Sequence, residues 1–123
     1  MASTKSILVI DDDEALNTAL QVKFSDKGFT VTLARDGEEA IRFLEEKTFS
    51  VVLTDLHMPK TNGFEVLEHI KRTRNADTPC YVITNLGSDV HCERAMNLGA
   101  RKCFIKSLFS LKDIVEFVDR AIA

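Results

Sequence analysis

The sequence predicts an α/β domain built on a parallel sheet with helices on both faces. Three observations carry that expectation. Five short runs rich in Val, Ile, Phe or Thr recur along the chain, and their continuous apolar character suits strands covered on both sides. Between them lie stretches whose apolar residues recur at helical spacing. Polar caps and glycine stops fall where those helices should start and end, so alternation of strand and helix makes a layered parallel sheet the economical fold.

The elements follow in order. KSILVI (5–10) is β1, and it runs straight into Asp11, Asp12 and Asp13. Leu16, Leu20 and Phe24 (16–24) put an apolar stripe on α1, which should stop at Gly28. FTVTLA (29–34) is β2. Asp36 answered by Glu39 has the spacing of a capping pair and opens α2, whose inner face is Ala40, Ile41 and Leu44 (40–44). FSVVLT (49–54) is β3, and it ends at Asp55. Asn62 with Glu65 opens α3, with Phe64, Leu67 and Ile70 (64–70) turned inward. PCYVIT (79–84) is β4, closing on Thr84. Ser88, Asp89 and His91 start α4, with Cys92, Ala95 and Met96 (92–96) on its apolar side and Gly99 as its stop. RKCFIK (101–106) is β5 and delivers Lys106, after which Ser110 with Asp113 opens α5 over Leu111, Ile114, Val115 and Val118 (111–118).

Composition narrows the functions available. A chain of 123 residues, 45% hydrophobic and 28% charged, suits one compact domain spanning 1–123 with a real core. Its formal net charge of -3 leaves no basic footprint, so direct nucleic-acid binding is not expected. Cys80, Cys92 and Cys103 cannot all pair, show no C-x-x-C spacing and lie in apolar segments, and they read as reduced packing thiols. The apolar run in MASTKSILVIDDD is far too short for a signal peptide or a membrane span, so a cytoplasmic protein with no membrane attachment is expected.

In an open α/β sheet the ligand sits outside the carboxyl ends of the strands, near a topological switch point. That rim receives Asp11, Asp12 and Asp13 from β1, Asp55 from β3, Thr84 from β4 and Lys106 from β5. Singly, each has an ordinary explanation: acidic capping for the aspartates, a loop start before Pro59 for Asp55, a strand residue for Thr84, a solvated charge for Lys106. Together they need a shared cause. Several carboxylates in a partly desolvated cleft repel one another unless a cation offsets them, and hard oxygen donors without a His or Cys cluster favour Mg²⁺. Asp55, central on the rim, is then the candidate nucleophile toward phosphorus. Mg²⁺ would bridge Asp12, Asp55 and a phosphoryl oxygen, while Lys106 and the Thr84 hydroxyl take the other oxygens.

These residues carry a resemblance. Through ILVIDD, VVLTDLHMPKTNGFEVL, VITNLGS and NLGARKCFIK, and the intervals between them, the chain resembles the receiver domain of two-component response regulators over essentially its whole length. The resemblance implies a flavodoxin-like, doubly wound sheet of five parallel strands in the order 2-1-3-4-5 with five helices. It implies Asp55 as phosphoacceptor, Asp12 as direct metal ligand, Asp11 reaching the metal through water and the backbone carbonyl of His57 as a third protein ligand. Thr84 and Lys106 match the switch hydroxyl and the phosphate-binding lysine. Partners implied are a histidine kinase or histidine phosphotransfer protein, and an effector or second copy at the α4-β5-α5 face, where Phe109 is a plausible contact.

Two positions depart from the pattern. Ser107 follows the lysine where the family usually has a cis proline, which favours a trans Lys106–Ser107 bond because cis costs roughly 2.5–4 kcal/mol before a residue other than proline. Cys103 stands three before the lysine, where the family usually has an aromatic switch residue, with Phe104 beside it. A smaller side-chain rearrangement than the family norm follows. His57 and Leu86 stand where water access to an aspartyl phosphate would be controlled. The chain is thus expected to be a signalling phosphoacceptor that assists its own phosphotransfer and dephosphorylation, not a dedicated enzyme. The alternative is a phosphorylation-independent interaction module of the same fold. A flavin-phosphate binder is disfavoured because DDDE after β1 would repel the phosphate, and the phosphohydrolase reading finds no second nucleophile-side acid and no cap domain in this sequence.

Overall fold

The computed structural model describes residues 5–58, 60–85 and 89–122. Pro59 of the loop after Asp55, Leu86 at the expected water-access position and Ser88 at the expected start of α4 lie outside the described residues. Five strands, β1 (Lys5–Ile10), β2 (Phe29–Ala34), β3 (Val51–Thr54), β4 (Cys80–Thr84) and β5 (Lys102–Ile105), alternate with five helices. The helices are α1 (Glu14–Asp26), α2 (Gly37–Glu46), α3 (Gly63–Ile70), α4 (Asp89–Asn97) and α5 (Leu111–Ile122). All strand pairs are parallel, in the order β2-β1-β3-β4-β5.

Alternation along the strands divides the core into two layers. Leu8, Ile10, Val52 and Val82 face α2, α3 and α4, packing on Ala40, Leu44, Phe64, Leu67, Ile70 and Ala95. Ile7, Val9, Val51, Leu53, Tyr81 and Ile83 face the other way, onto Leu20 and Phe24 of α1 and Ile114, Val115 and Val118 of α5. Both layers are sealed from water, which is why β1, β3 and β4 show no polar alternation.

The expected caps form. Asp36 accepts from the Glu39 N–H at 2.9 Å, Asn62 from Glu65 at 3.0 Å and Ser110 from Asp113 at 3.1 Å. Gly28 and Gly99 take φ of 89° and 110° just past α1 and α4, a conformation that costs a side chain dearly. β3 starts two residues later than the apolar run suggests, because the Phe49 N–H is taken by the Asn75 side chain at 2.8 Å. Buried Asn75 also donates to the Leu44 and Lys47 carbonyls at 2.8 and 2.6 Å, tying the α2–β3 and α3–β4 connections together. No peptide bond among the described residues is cis, so Lys106–Ser107 is trans, as the absence of proline led us to expect.

The expectation of three reduced thiols fails. Cys92 and Cys103 form a disulfide and are not reduced packing thiols; only Cys80 is free. Sequence spacing hid the pairing because α4 turns back at Gly99 and sets Cys92 beside β5, with the two Cα atoms 5.6 Å apart.

Candidate functional site

Strand register builds the site. Ile10 pairs with Ala34 on one side and with Thr54 on the other, so the next residues of β1 and β3, Asp11 and Asp55, emerge side by side. Thr84 pairs with Ile105, which places Lys106 one residue beyond on the neighbouring edge. Extra ladder-like bonds carry the geometry past the strand ends: Asp11 N–H donates to Ala34 at 3.0 Å, Asp55 N–H to Ile10 at 2.9 Å, and Lys106 N–H to Thr84 at 2.8 Å. The result is a cleft of about 270 Å³ lined by Asp11, Asp12, Asp13, Asp55, His57, Thr84, Asn85 and Lys106.

Asp55 is 6% exposed and held from several directions. Its Oδ1 accepts the Leu56 N–H at 2.7 Å and, more weakly, the His57 N–H at 3.4 Å. Its carbonyl accepts the Thr54 hydroxyl at 2.9 Å. Gly63 presses against the same backbone, where any Cβ would overlap the Asp55 carbonyl oxygen. The carboxylate is therefore oriented before any ligand arrives, with Oδ2 turned to the Lys106 ammonium at 3.5 Å.

Asp11 is fully buried, and Lys106 Nζ sits 3.1 Å from its Oδ2. Burial raises the Asp11 pKa to about 6, and the Asp55 charge adds to the rise, while the Asp13 N–H at 2.9 Å and Lys106 act against it. For Lys106, burial pulls the pKa down, but Asp55 and Asp11 outweigh it and the net direction is up. Lys106 thus offsets two carboxylates at once. Asp12 is exposed beside them, and the carboxylate oxygens of Asp11, Asp12 and Asp55 all lie within 4.8 Å of one another. Three hard oxygen donors balanced by one ammonium is a donor set suited to Mg²⁺.

Asp13 behaves differently from its neighbours, because its side chain caps α1 by accepting from Leu16 N–H at 3.2 Å. His57 has an exposed ring, set edge-on to His91 at 6.0 Å between centroids, so only its backbone points toward the metal question. His91, in the first turn of α4, is half-buried between His57 and Phe64. Phe109, read as a contact residue, is half-buried against Phe104 at 5.3 Å; among the described residues Val90, Met96, Leu108 and Phe117 are the large exposed apolar side chains of α4, α5 and the loop before α5, so Met96 does not join the buried side of α4 as its spacing predicts. Two site residues escaped the sequence reading. Asn85 lines the cleft directly after Thr84, and Asn17 donates to the Asp11 carbonyl at 2.7 Å from inside α1. Asn85 could have been found by its adjacency; Asn17 had no such signal.

The described residues contain no helix long and apolar enough to cross a membrane. Comparison with known proteins bears on the same arrangement. "Regulator of RpoS" of Escherichia coli K12 is 33% identical over 114 residues, which is 93% of this chain and 34% of that protein. "Transcriptional regulatory protein CpxR" of Escherichia coli K12 is 35% identical over 94 residues, or 76% of this chain and 39% of that one. This chain therefore spans about a third of the length of such relatives. Among solved structures, a CheY-like response regulator receiver domain protein from Methanospirillum hungatei JF-1 superposes with a TM-score of 0.90 at 25% identity, covering 98% of this chain and 94% of that one. The non-phosphorylated HemR receiver domain from Leptospira biflexa gives 0.87 at 28% identity, covering 97% and 94%. The family profile of the response regulator receiver domain matches residues 7–119, which takes in every strand end that builds the cleft, and the chain belongs to that family.

Proposed function

We propose that this receiver domain accepts a phosphoryl group on Asp55 from a phosphohistidine donor, with Mg²⁺ as cofactor. The observation that carries the reading is the Asp55 carboxylate itself: buried, fixed through one oxygen by Leu56 N–H, and flanked within 4.8 Å by Asp11 and Asp12. An Asp55 oxygen attacks phosphorus, the P–N bond to the donor imidazole breaks, and the electron pair leaves with the histidine nitrogen, which is protonated from solvent. Asp12 and Asp55 would hold the ion with the His57 carbonyl, and Asp11 through water. When bound, Mg²⁺ supplies charge neutralisation at the phosphoryl oxygens.

Lys106 already stands beside Asp55 and Asp11, so its ammonium needs only to exchange a carboxylate partner for a phosphoryl oxygen. Thr84 lies buried at the neighbouring strand end, where its hydroxyl can meet another oxygen. On this reading both groups pass the change on to the α4-β5-α5 face, where the effector or a second copy binds, and the protein works in the cytoplasm with its donor. The phosphorylation-independent alternative has no use for two buried carboxylates, Asp11 and Asp55, that repel one another.

Incubation with acetyl phosphate and Mg²⁺, followed by intact mass, tests the proposal. An adduct of one phosphoryl group is expected on the parent and none on Asp55→Asn, which keeps the shape and removes the nucleophile. An adduct of equal yield on Asp55→Asn would assign the acceptor elsewhere.

A further inference from the structure

The disulfide between Cys92 and Cys103 plays no part in phosphate chemistry, yet it joins two elements that the cleft depends on. Cys92 lies in α4, the helix that follows Thr84, and Cys103 lies in β5, the strand that ends before Lys106. Cys103 pairs in register with Val82 of β4, two residues before the Thr84–Ile105 pair. We propose that Cys92 and Cys103 are a reversible dithiol–disulfide couple, oxidised by low-molecular-weight disulfides, whose oxidised form clamps α4 to β5.

Several observations point the same way. The cysteines are 11 residues apart, so the bridge closes one short loop that runs from within α4 through the turn into β5, and it joins no elements distant in sequence. Its effect is local: it fixes one helix against one edge strand. Elsewhere α4 is anchored in the core by buried Ala95 and on its α3 side by His91 against His57 and Phe64 and by the Arg94 guanidinium 4.1 Å from the Phe64 ring centroid, so the bridge is its covalent tie to β5. Both cysteines are half-buried, so a small disulfide reaches them from solvent. Cys80 does not compete in the exchange, because it is buried at the start of β4 and its thiol is pushed up to about 12 by that burial. In a reducing compartment, where the proposed function puts this chain, a disulfide is more often a sensor than a staple.

The exchange balances. One thiolate attacks a sulfur of the small disulfide and expels the first small thiolate; the second cysteine then attacks the mixed disulfide and expels the other. Two protein thiols lose two electrons and two protons, and one small disulfide becomes two small thiols. The reverse runs in excess small thiol.

That the clamp matters to signalling rests on the phosphoacceptor reading; that it exists does not. The test equilibrates the whole chain in glutathione and glutathione disulfide at varied ratio, alkylates free thiols with N-ethylmaleimide, and reads both mass and amide hydrogen exchange. The expected result is a reversible two-thiol transition at Cys92 and Cys103, with exchange in α4 about tenfold faster in the reduced form. Cys92→Ser and Cys103→Ser should exchange at the reduced rate in either buffer. Thiols that never pair, a bridge that survives excess glutathione, or equal α4 exchange in the two states would each overturn the proposal. An acetyl phosphate arm separates the two readings. If neither redox state gains a phosphoryl group while the couple and the exchange difference persist, the Asp55 assignment fails and the clamp stands.

Discussion

Replacing Asp11 by asparagine should stabilise the metal-free protein at neutral pH, even though it removes a partner of Lys106. Asp11 is fully buried, and its pKa is raised from 3.8 to about 6, mainly by burial. A group whose folded pKa lies above its unfolded one adds stability below the unfolded value and loses it as pH climbs through the folded value. Here the window runs from 3.8 to about 6, and above it the ionised carboxylate is a net cost. Moving the carboxyl from 3.8 to about 6 sets an upper bound of about 3 kcal/mol, which screening at the open mouth of the cleft reduces to about 1–2 kcal/mol. Asparagine keeps an oxygen to accept the Asp13 N–H and has no charge to bury. Urea unfolding at about pH 4.5 and about pH 7.5 checks this, with the advantage of Asp11→Asn expected to grow by roughly 1–2 kcal/mol between the two. Mg²⁺ should narrow the gap at the higher pH, because ligand binding favours the parent. A variant no more stable than the parent at about pH 7.5 without metal would refute the idea that burial of this carboxylate strains the site.

Asp12→Ala should cost little stability, since Asp12 is exposed, but it should weaken Mg²⁺ binding; isothermal titration with unchanged metal affinity would count against its role as a ligand. Gly63→Ala should displace the Asp55 carbonyl and lower both the melting temperature and the rate of phosphate uptake, whereas a rate equal to the parent would mean the cradle adapts freely. Asn75→Ala leaves the Phe49 N–H and the Leu44 and Lys47 carbonyls without their partner, and a loss of about 2–4 kcal/mol is expected in urea unfolding, well above the cost of a surface change.

The parts of the fold that sequence could reveal are those governed by local rules. Caps at Asp36, Asn62 and Ser110 and stops at Gly28 and Gly99 each depend on residues within a turn of one another, and all appear in place. Asp11, Asp55, Thr84 and Lys106 were legible for a related reason: each ends a strand or follows one directly, and parallel strands bring their carboxyl ends to one edge. Asn75, Asn17 and the Cys92–Cys103 bridge depend on contacts between elements, and no spacing within one segment announces them. The apolar pattern also overextended β3, because Phe49 is buried for packing while its backbone is bonded to a side chain.

Departures from the family pattern at Cys103 and Ser107 meet on the two sides of Lys106, and the structure suggests how their effects divide. The trans bond after Lys106 leaves the ammonium within reach of both Asp11 and Asp55, so lysine placement survives without proline. Cys103 cannot swing as an aromatic ring would, and it is tied to Cys92. The aromatic surface instead gathers further along, where Phe104 packs edge-on against Phe109 and Phe117, and the Lys102 ammonium lies 5.3 to 5.7 Å from all three ring centroids. Phe117 is exposed at the rim of this cluster, so the face beside β5 already carries an ordered aromatic contact that needs no ring to rotate into place. On the proposed function, a response to phosphorylation at the cleft would move α4 as a body relative to β5, and the Cys92–Cys103 bond that joins the two would restrain that motion.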